Sequence, residues 1–106
     1  MVPEAVLEEA ARRFSLLGDP TRLRLLSVLH ERGETSVGEI AAVAGVTVAN
    51  ASQHLVRLAA GGIVARRRAG RSVLYRIGDP TVERLCDIVC ASVAERARVL
   101  TPATVE

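Results

Sequence analysis

The stretch SVGEIAAVAGVTVANASQHLVRLAAGG, residues 36–62, decides the fold. Ser36 followed by Glu39 is the pattern of a capping box, in which each side chain satisfies the other residue's free backbone N–H at the start of a helix. Thr47 is placed to cap a second helix, because its hydroxyl can accept from a backbone N–H of the next turn. Both helices are expected to end at glycine, at about Ala44 before Gly45 and at about Ala60 before Gly61-Gly62. The stretch therefore predicts a helix, a tight turn and a second helix.

A β-hairpin is predicted directly after these two helices. Strand-forming residues run from Ile63 to Arg68 and from Ser72 to Ile77, and Ala69-Gly70 supplies the turn between them. In the second strand every other residue is apolar and large enough to pack on a core, which indicates that one face of the hairpin is buried. The unit thus consists of a helix, a turn, a helix and a hairpin.

Further helices are predicted on both sides of this unit. Asp19-Pro20 and Asp79-Pro80 each combine a capping residue with a proline at the first helical position, where proline loses no hydrogen bond. The three flanking helices are expected from Pro3 to Gly18, from Pro20 to Gly33, and from Pro80 to about Leu100. Residues 1–106 are too few for more than a single domain. The predicted fold is mainly α with a β-hairpin: a winged helix-turn-helix with the hairpin between the fourth and fifth helices.

The positive charge of the chain is concentrated in the helix-turn-helix and the hairpin. The net charge is only +2, but no acidic residue occurs between Glu39 and Asp79. All 14 basic residues are arginine, whose planar guanidinium suits phosphate and guanine. A solvated charged surface is the alternative interpretation. We favour a polyanionic partner, because a field of one sign over so short a segment attracts anions.

The predicted fold has a specific use in binding duplex DNA. The second helix of the pair can lie in the major groove, about 12 Å wide, while the hairpin holds phosphates or enters the adjacent minor groove. Asn50 and Gln53 are types that pair with adenine, and Arg57 can reach guanine or phosphate. His54 has an alternative role, orienting the helix through an internal hydrogen bond. The candidate DNA-binding residues are Thr47, Ala49, Asn50, Ser52, Gln53, His54 and Arg57 on the helix, and Arg66, Arg67, Arg68 and Arg71 on the hairpin.

The segments LLGDPTRLRLLSVL and SVGEIAAVAGVTVANASQHLVRLAAGGIVARRRAGRSVLYRI resemble the ArsR/SmtB family of small winged-helix repressors over nearly the whole chain. The resemblance implies a homodimer assembled from the first and last helices. It also implies binding to an imperfect palindromic operator in double-stranded DNA, from which an effector releases the protein.

The residues that many family members use to bind metal are largely missing. Ser36 and Gly38 stand where a Cys-x-Cys pair is common, and the positions that match the family's last-helix site are Asp79, Thr81, Ser92 and Glu95, which include no histidine. Oxygen ligands alone would make a poor zinc or nickel site. Whether a transition metal is a cofactor is therefore left open.

Cys86 and Cys90 are the alternative effector site. At positions i and i+4 they share one face of the last helix. There the two thiolates, alone or with those of a second subunit, could bind a soft or borderline metal ion, with Glu83 or Asp87 as a further ligand, or could be oxidised. The other interpretation is packing, since free cysteine behaves as a small buried hydrophobe. In that case the sensor lies elsewhere or in an accessory protein.

Three classes of function can be compared on the residues. A DNA-binding repressor accounts for the arginine-rich hairpin, which a winged-helix module acting through protein contacts would not need. An enzyme is disfavoured, because His30 and His54 lie on different helices without a nucleophile or metal ligands beside them. The apolar runs are far shorter than the roughly 20 residues that span a bilayer, and the acidic N-terminus is unlike a secretory signal. The chain is expected to act in the cytoplasm without membrane contact.

Overall fold

The computed structural model describes the backbone of residues 1–100 and the side chains of residues 1–99; residues 101–106 of the predicted domain lie outside this range. The elements in chain order are α1 (Glu4–Leu17), α2 (Pro20–Arg32), β1 (Thr35–Ser36), α3 (Val37–Ala44), α4 (Val48–Ala60), β2 (Val64–Ala69), β3 (Ser72–Ile77) and α5 (Pro80–Leu100). This order confirms the predicted winged helix-turn-helix and adds the short strand β1.

The predicted N-terminal caps of α2, α3 and α4 are confirmed. Side-chain oxygens of Asp19, Ser36 and Thr47 each accept from the backbone N–H three residues later, at 3.0, 3.3 and 3.0 Å. The second half of the predicted capping box is wrong: within the described residues, the Glu39 carboxylate lies 3.4 Å from Arg32 Nη1 instead of bonding back to Ser36. Ser36 itself pairs with Leu74 in the sheet, so its backbone belongs to β1.

Two glycines allow α3 and α4 to end sharply. Gly45 has φ 75° and Gly62 has φ 77°, a region in which a side chain is strained. After Gly62, the N–H of Ile63 donates to Leu58 O at 2.9 Å, which closes the last turn of α4. Ile63 therefore closes the C-terminal cap that follows α4, and the first strand of the hairpin starts one residue later than predicted.

The sheet has three antiparallel strands in the order β1-β3-β2. In the hairpin Val64 pairs with Ile77 and Ala69 with Ser72, so the turn residues are Gly70-Arg71. The predicted turn Ala69-Gly70 is wrong by one residue, because Ala69 is the last residue of β2. The third strand was not predicted; it places Thr35 opposite Tyr75 and attaches the end of α2 to the hairpin.

The core lies between α2, α3, α4 and the base of the hairpin. Its fully buried side chains are Leu25, Leu29, Ile40, Leu55, Leu58, Ile63 and Tyr75. The outer helices contribute little to it: among the described side chains, only Leu17 of α1 and Val82 of α5 are buried. None of the helices in the described part of the chain combines the length and apolar character needed to cross a membrane.

Candidate nucleic-acid interface

Helix α4 has one buried face and one polar face. Ala51, Leu55 and Leu58 are buried, which fixes the rotation of the helix about its axis. Of the predicted contact residues of this helix, Thr47, Ala49, Gln53 and Arg57 are exposed, while Asn50, Ser52 and His54 are half-buried. The structure brings Ser52, Gln53, His54 and Arg57 together along one shallow groove.

His54 is held by a residue that the sequence alone does not single out. Arg22 Nε, from the first turn of α2, lies 3.2 Å from His54 Nδ1, and Arg22 Nη1 lies 3.3 Å from the carbonyl oxygen of Leu16. The internal hydrogen bond considered for His54 therefore exists. It does not exclude a contact between His54 and DNA, because only one ring nitrogen is engaged.

The arginines of the hairpin do not form one group. Side chains of a strand alternate between its faces, so Arg66 and Arg68 lie on one face and Arg67 on the other. Two nitrogens of the Arg67 guanidinium donate to Glu34, with distances of 3.0 Å from Nε to Oε2 and 2.7 Å from Nη2 to Oε1. The hydrogen bond from Arg67 lowers the pKa of Glu34, so the carboxylate is firmly ionised.

Glu34 also lies 4.0 Å from Arg76 Nη1, measured from its Oε2. The basic segment is therefore partly neutralised in space by an acidic residue that precedes it in sequence. Arg66, Arg68 and Arg71 are exposed, and within the described residues no acidic side chain pairs with them. These three are the hairpin residues best placed to meet an external anion.

A small cavity of about 140 Å³ lies between α2 and α5, and both cysteines line it. Cys86 is half-buried, and burial raises the pKa of its thiol, with smaller contributions from Cys90 and Asp87. Cys90 is exposed. In the part of the chain that the structure describes, no three histidine, cysteine or acidic side chains are arranged to hold a metal ion.

His30 faces the same cavity from α2. Its Nδ1 lies 2.6 Å from Glu83 Oε2, and its Nε2 lies 3.9 Å from Asp87 Oδ1. The hydrogen bond to Glu83, followed by the charge of Asp87, raises the pKa of His30. No local pattern predicts this link, because the partners are more than fifty positions apart.

Comparison with known proteins agrees with this geometry. A helix-turn-helix domain family model matches residues 17–67. A probable mercury resistance operon repressor from Streptomyces lividans is 37% identical over 93% of this chain and 78% of its own length. The homodimeric winged helix-turn-helix domain of a possible ArsR-family regulator from Mycobacterium bovis is 33% identical, with a TM-score of 0.81 over 94% of this chain and 92% of that one.

The antimony-specific repressor AntR is also 33% identical, with a TM-score of 0.85 over 92% of this chain and 88% of its own. The chain belongs to the ArsR/SmtB family. It is therefore a DNA-binding transcriptional regulator and not an enzyme.

In this ArsR/SmtB protein, residues at the family's last-helix metal positions already have other partners. Asp79 Oδ2 lies 2.8 Å from Arg13 Nη1, and Asp79 Oδ1 accepts from the backbone N–H of Thr81 at 3.0 Å. Glu95 Oε1 accepts from Arg98 Nη2 at 2.6 Å.

Proposed function

We propose that the chain is a repressor that binds an imperfect palindromic operator as a homodimer in the cytoplasm, with one α4 in each of two successive major grooves. The observation that carries this proposal is the joint exposure of the polar face of α4 and the unpaired arginines of the hairpin. Helix-turn-helix dimers place their recognition helices about 34–36 Å apart, one turn of B-DNA.

The roles of the residues follow from their chemistry. Gln53 and Asn50 read adenine, Ala49 meets a thymine methyl group, and Arg57 reaches guanine or phosphate. Thr47 and Ser52 contact the DNA from the same helix, and His54 acts beside them. Arg66, Arg68 and Arg71 hold phosphates or enter the minor groove. Arg67 is bound to Glu34, so we expect it to contribute less to DNA binding than Arg66, Arg68 and Arg71.

The homodimer forms through α1 and α5. Each helix presents large apolar side chains that its own chain leaves uncovered: Phe14 is 60% exposed, Val89 50% and Val93 61%. A patch of this kind on a small soluble protein marks an interaction surface. The related domain from Mycobacterium bovis is homodimeric, which supports a second copy as the partner.

The effector acts on Cys86 and Cys90. The relatives include regulators named for mercury and antimony, both of which are thiophilic. Within the described residues of one chain, no three histidine, cysteine or acidic side chains are close enough together to hold a metal ion. The two thiols are therefore best suited to a soft ion of low coordination number or to a thiol-reactive compound. A metal that needs four protein ligands fits poorly.

Binding to the DNA upstream of the protein's own gene tests this proposal. Wild type is titrated against that fragment and an unrelated fragment, alone and with mercury(II), arsenite, antimonite, zinc, nickel, copper or peroxide. We expect specific binding that one of the thiophilic agents abolishes, and we expect the Cys86→Ser/Cys90→Ser variant to stay bound. An identical response of wild type and variant would show that the cysteines only pack and that the sensor lies elsewhere or in an accessory protein.

A further inference from the structure

Arg22 connects three helices through its backbone and side chain. Its backbone N–H donates to the cap residue Asp19, its Nη1 donates to Leu16 O at the end of α1, and its Nε donates to His54 on α4. The last two distances are 3.3 and 3.2 Å. Both Arg22 and His54 are half-buried, so their hydrogen bond is partly shielded from competing water.

The bond from Arg22 determines which nitrogen of the neutral His54 ring carries the proton. A guanidinium has only donors, so Nδ1 presents its lone pair to Arg22 and the proton of the neutral ring is on Nε2. Among the described residues no group accepts a hydrogen bond from Nε2. His54 lines the groove beside Gln53 and Arg57, on the surface assigned to DNA. The ring is thus a neutral donor held at that surface.

We propose that Arg22 is a positioning residue for operator binding, which holds the His54 ring so that Nε2–H donates to a phosphate oxygen of the DNA. The inference rests on the proposed role of α4 as the recognition helix. We assign a phosphate as the acceptor because His54 follows the first turns of α4, where the residues assigned to bases lie, and because it is half-buried against Arg22 of α2.

The same residue ties the recognition helix to α1. Leu16 accepts from Arg22, and its side chain also packs on the end of α4 so closely that a Cβ atom at Gly61 would lie 2.3 Å from Leu16 Cδ1. Since α1 belongs to the proposed dimer interface, Arg22 helps to set the orientation of α4 relative to that interface.

Arg22→Ala, His54→Ala and the double variant test the proposal by operator affinity. Removing one hydrogen bond to a charged phosphate corresponds to at least about a 10-fold change, and both half-sites are affected, so each single variant should bind at least about 100-fold more weakly. The double variant should bind no more weakly than Arg22→Ala, because the two residues act as one unit. Arg24→Ala, which removes an exposed arginine from the same helix, is the matched control and should have a smaller effect.

Salt dependence separates this contact from those of the arginines. A neutral imidazole releases no counterion, so His54→Ala should lower affinity without changing the slope of log K against log salt. The reduction should be equal for the operator and for unrelated DNA, since a phosphate carries no sequence information. If His54→Ala lowered the affinity only for DNA with one particular base pair in the site, the assignment to phosphate would be wrong.

Nitrogen-15 NMR spectra at mildly alkaline pH show which nitrogen of the His54 imidazole carries the proton. This property would not change on substitution of Arg22 if Arg22 had only a structural role. We expect His54 as the pure Nε2–H tautomer in wild type and as a mixture in Arg22→Ala. Arg22→Ala should still fold, because the backbone N–H of residue 22, and not its side chain, donates to the capping residue Asp19. Arg22→Lys, which keeps the charge but not the two separated donors, provides a second test and should also weaken binding.

Two results would overturn the inference. One is a folded Arg22→Ala dimer with unchanged operator affinity, and the other is a weakened variant whose His54 tautomer is unchanged. Gln53→Ala distinguishes this failure from failure of the proposed function: if that substitution also leaves operator preference unchanged, α4 is not the recognition helix.

Discussion

The arginines of the hairpin differ in what they are bound to, and this difference predicts unequal effects on DNA binding. Arg68 is exposed without an acidic partner in the described residues, whereas the Arg67 guanidinium donates to Glu34 through two nitrogens. Arg68→Ala should weaken binding to all sequences and lower the magnitude of the salt slope by about one for each phosphate that the variant no longer neutralises. Arg67→Ala should leave the slope nearly unchanged. Equal slopes for the two variants, measured by fluorescence anisotropy over a salt series, would contradict this distinction.

His30 makes the stability of the α2–α5 contact depend on pH. Glu83 and Asp87 raise its pKa from the ordinary 6.5, with a smaller contribution from Glu31, so the folded state binds the proton more tightly than the unfolded state. The resulting stability is fully present below pH 6.5 and disappears as pH rises through the raised folded value. We expect the stability advantage of wild type over His30→Gln to shrink between these two values.

Urea unfolding at a series of pH values up to about 8 measures the stability difference between wild type and His30→Gln. The Cys86 thiol does not ionise in this range, because its pKa is raised. Glu83→Gln should remove most of the same pH dependence. A difference between wild type and His30→Gln that is constant across the range would show that the ion pair does not contribute.

At the residue scale, the caps could be predicted and the ion pairs could not. Asp19, Ser36 and Thr47 bond to residues three positions away, so a short window of sequence contains both partners. Glu34–Arg67 and His30–Glu83 join residues on different elements, and their pairing depends on the tertiary fold. The Arg22–His54 bond was missed for the same reason, although the sequence indicated an internal partner for His54.

At the element scale, the turn between α3 and α4 depends on Gly45. With φ 75° and ψ 33° it lies in the left-handed region, which costs a residue with a side chain about 1–2 kcal/mol. Gly45→Ala should therefore lower the free energy of unfolding by about that amount. Gly38→Ala is the matched control, because Gly38 lies within α3 and a Cβ there meets nothing within 4 Å.

Gly38→Ala should leave the free energy of unfolding unchanged or raise it by less than about 1 kcal/mol, because alanine is the better helix former. Chemical denaturation of both variants measures the two effects. If Gly45→Ala were as stable as Gly38→Ala, the tight turn would not require a left-handed residue.

Strand β1 shows which elements the sequence does not reveal. Thr35–Ser36 has two residues, too few for any alternation of polar and apolar side chains, and it exists because it pairs with β3 far along the chain. The five helices and the hairpin were predictable because each has its own periodicity and its own start and stop residues. The observed boundaries differ slightly from the predicted ones. The first hairpin strand, for example, starts after Ile63, because the N–H of Ile63 bonds to the end of α4.

At the scale of the whole molecule, the exposed apolar faces of α1 and α5 predict the effect of a charge in the proposed interface. Val93→Asp places an ionised group where the second copy packs, so sedimentation should show monomer or loss of folding. Val43→Asp is the matched control: Val43 is 47% exposed on α3, away from both helices, and this variant should stay dimeric. A folded dimer for Val93→Asp would rule out this part of α5 as the interface.

The small share of α1 and α5 in the buried core has a consequence for gene control. Among the described side chains, one chain buries only Leu17 and Val82 from these two helices. If a second copy covers the rest of them, as proposed, folding obeys mass action. The melting temperature should then rise with protein concentration. In a cell, operator occupancy would increase more steeply than in proportion to the number of copies, so repression would have a threshold below which the protein is both unpaired and unstable.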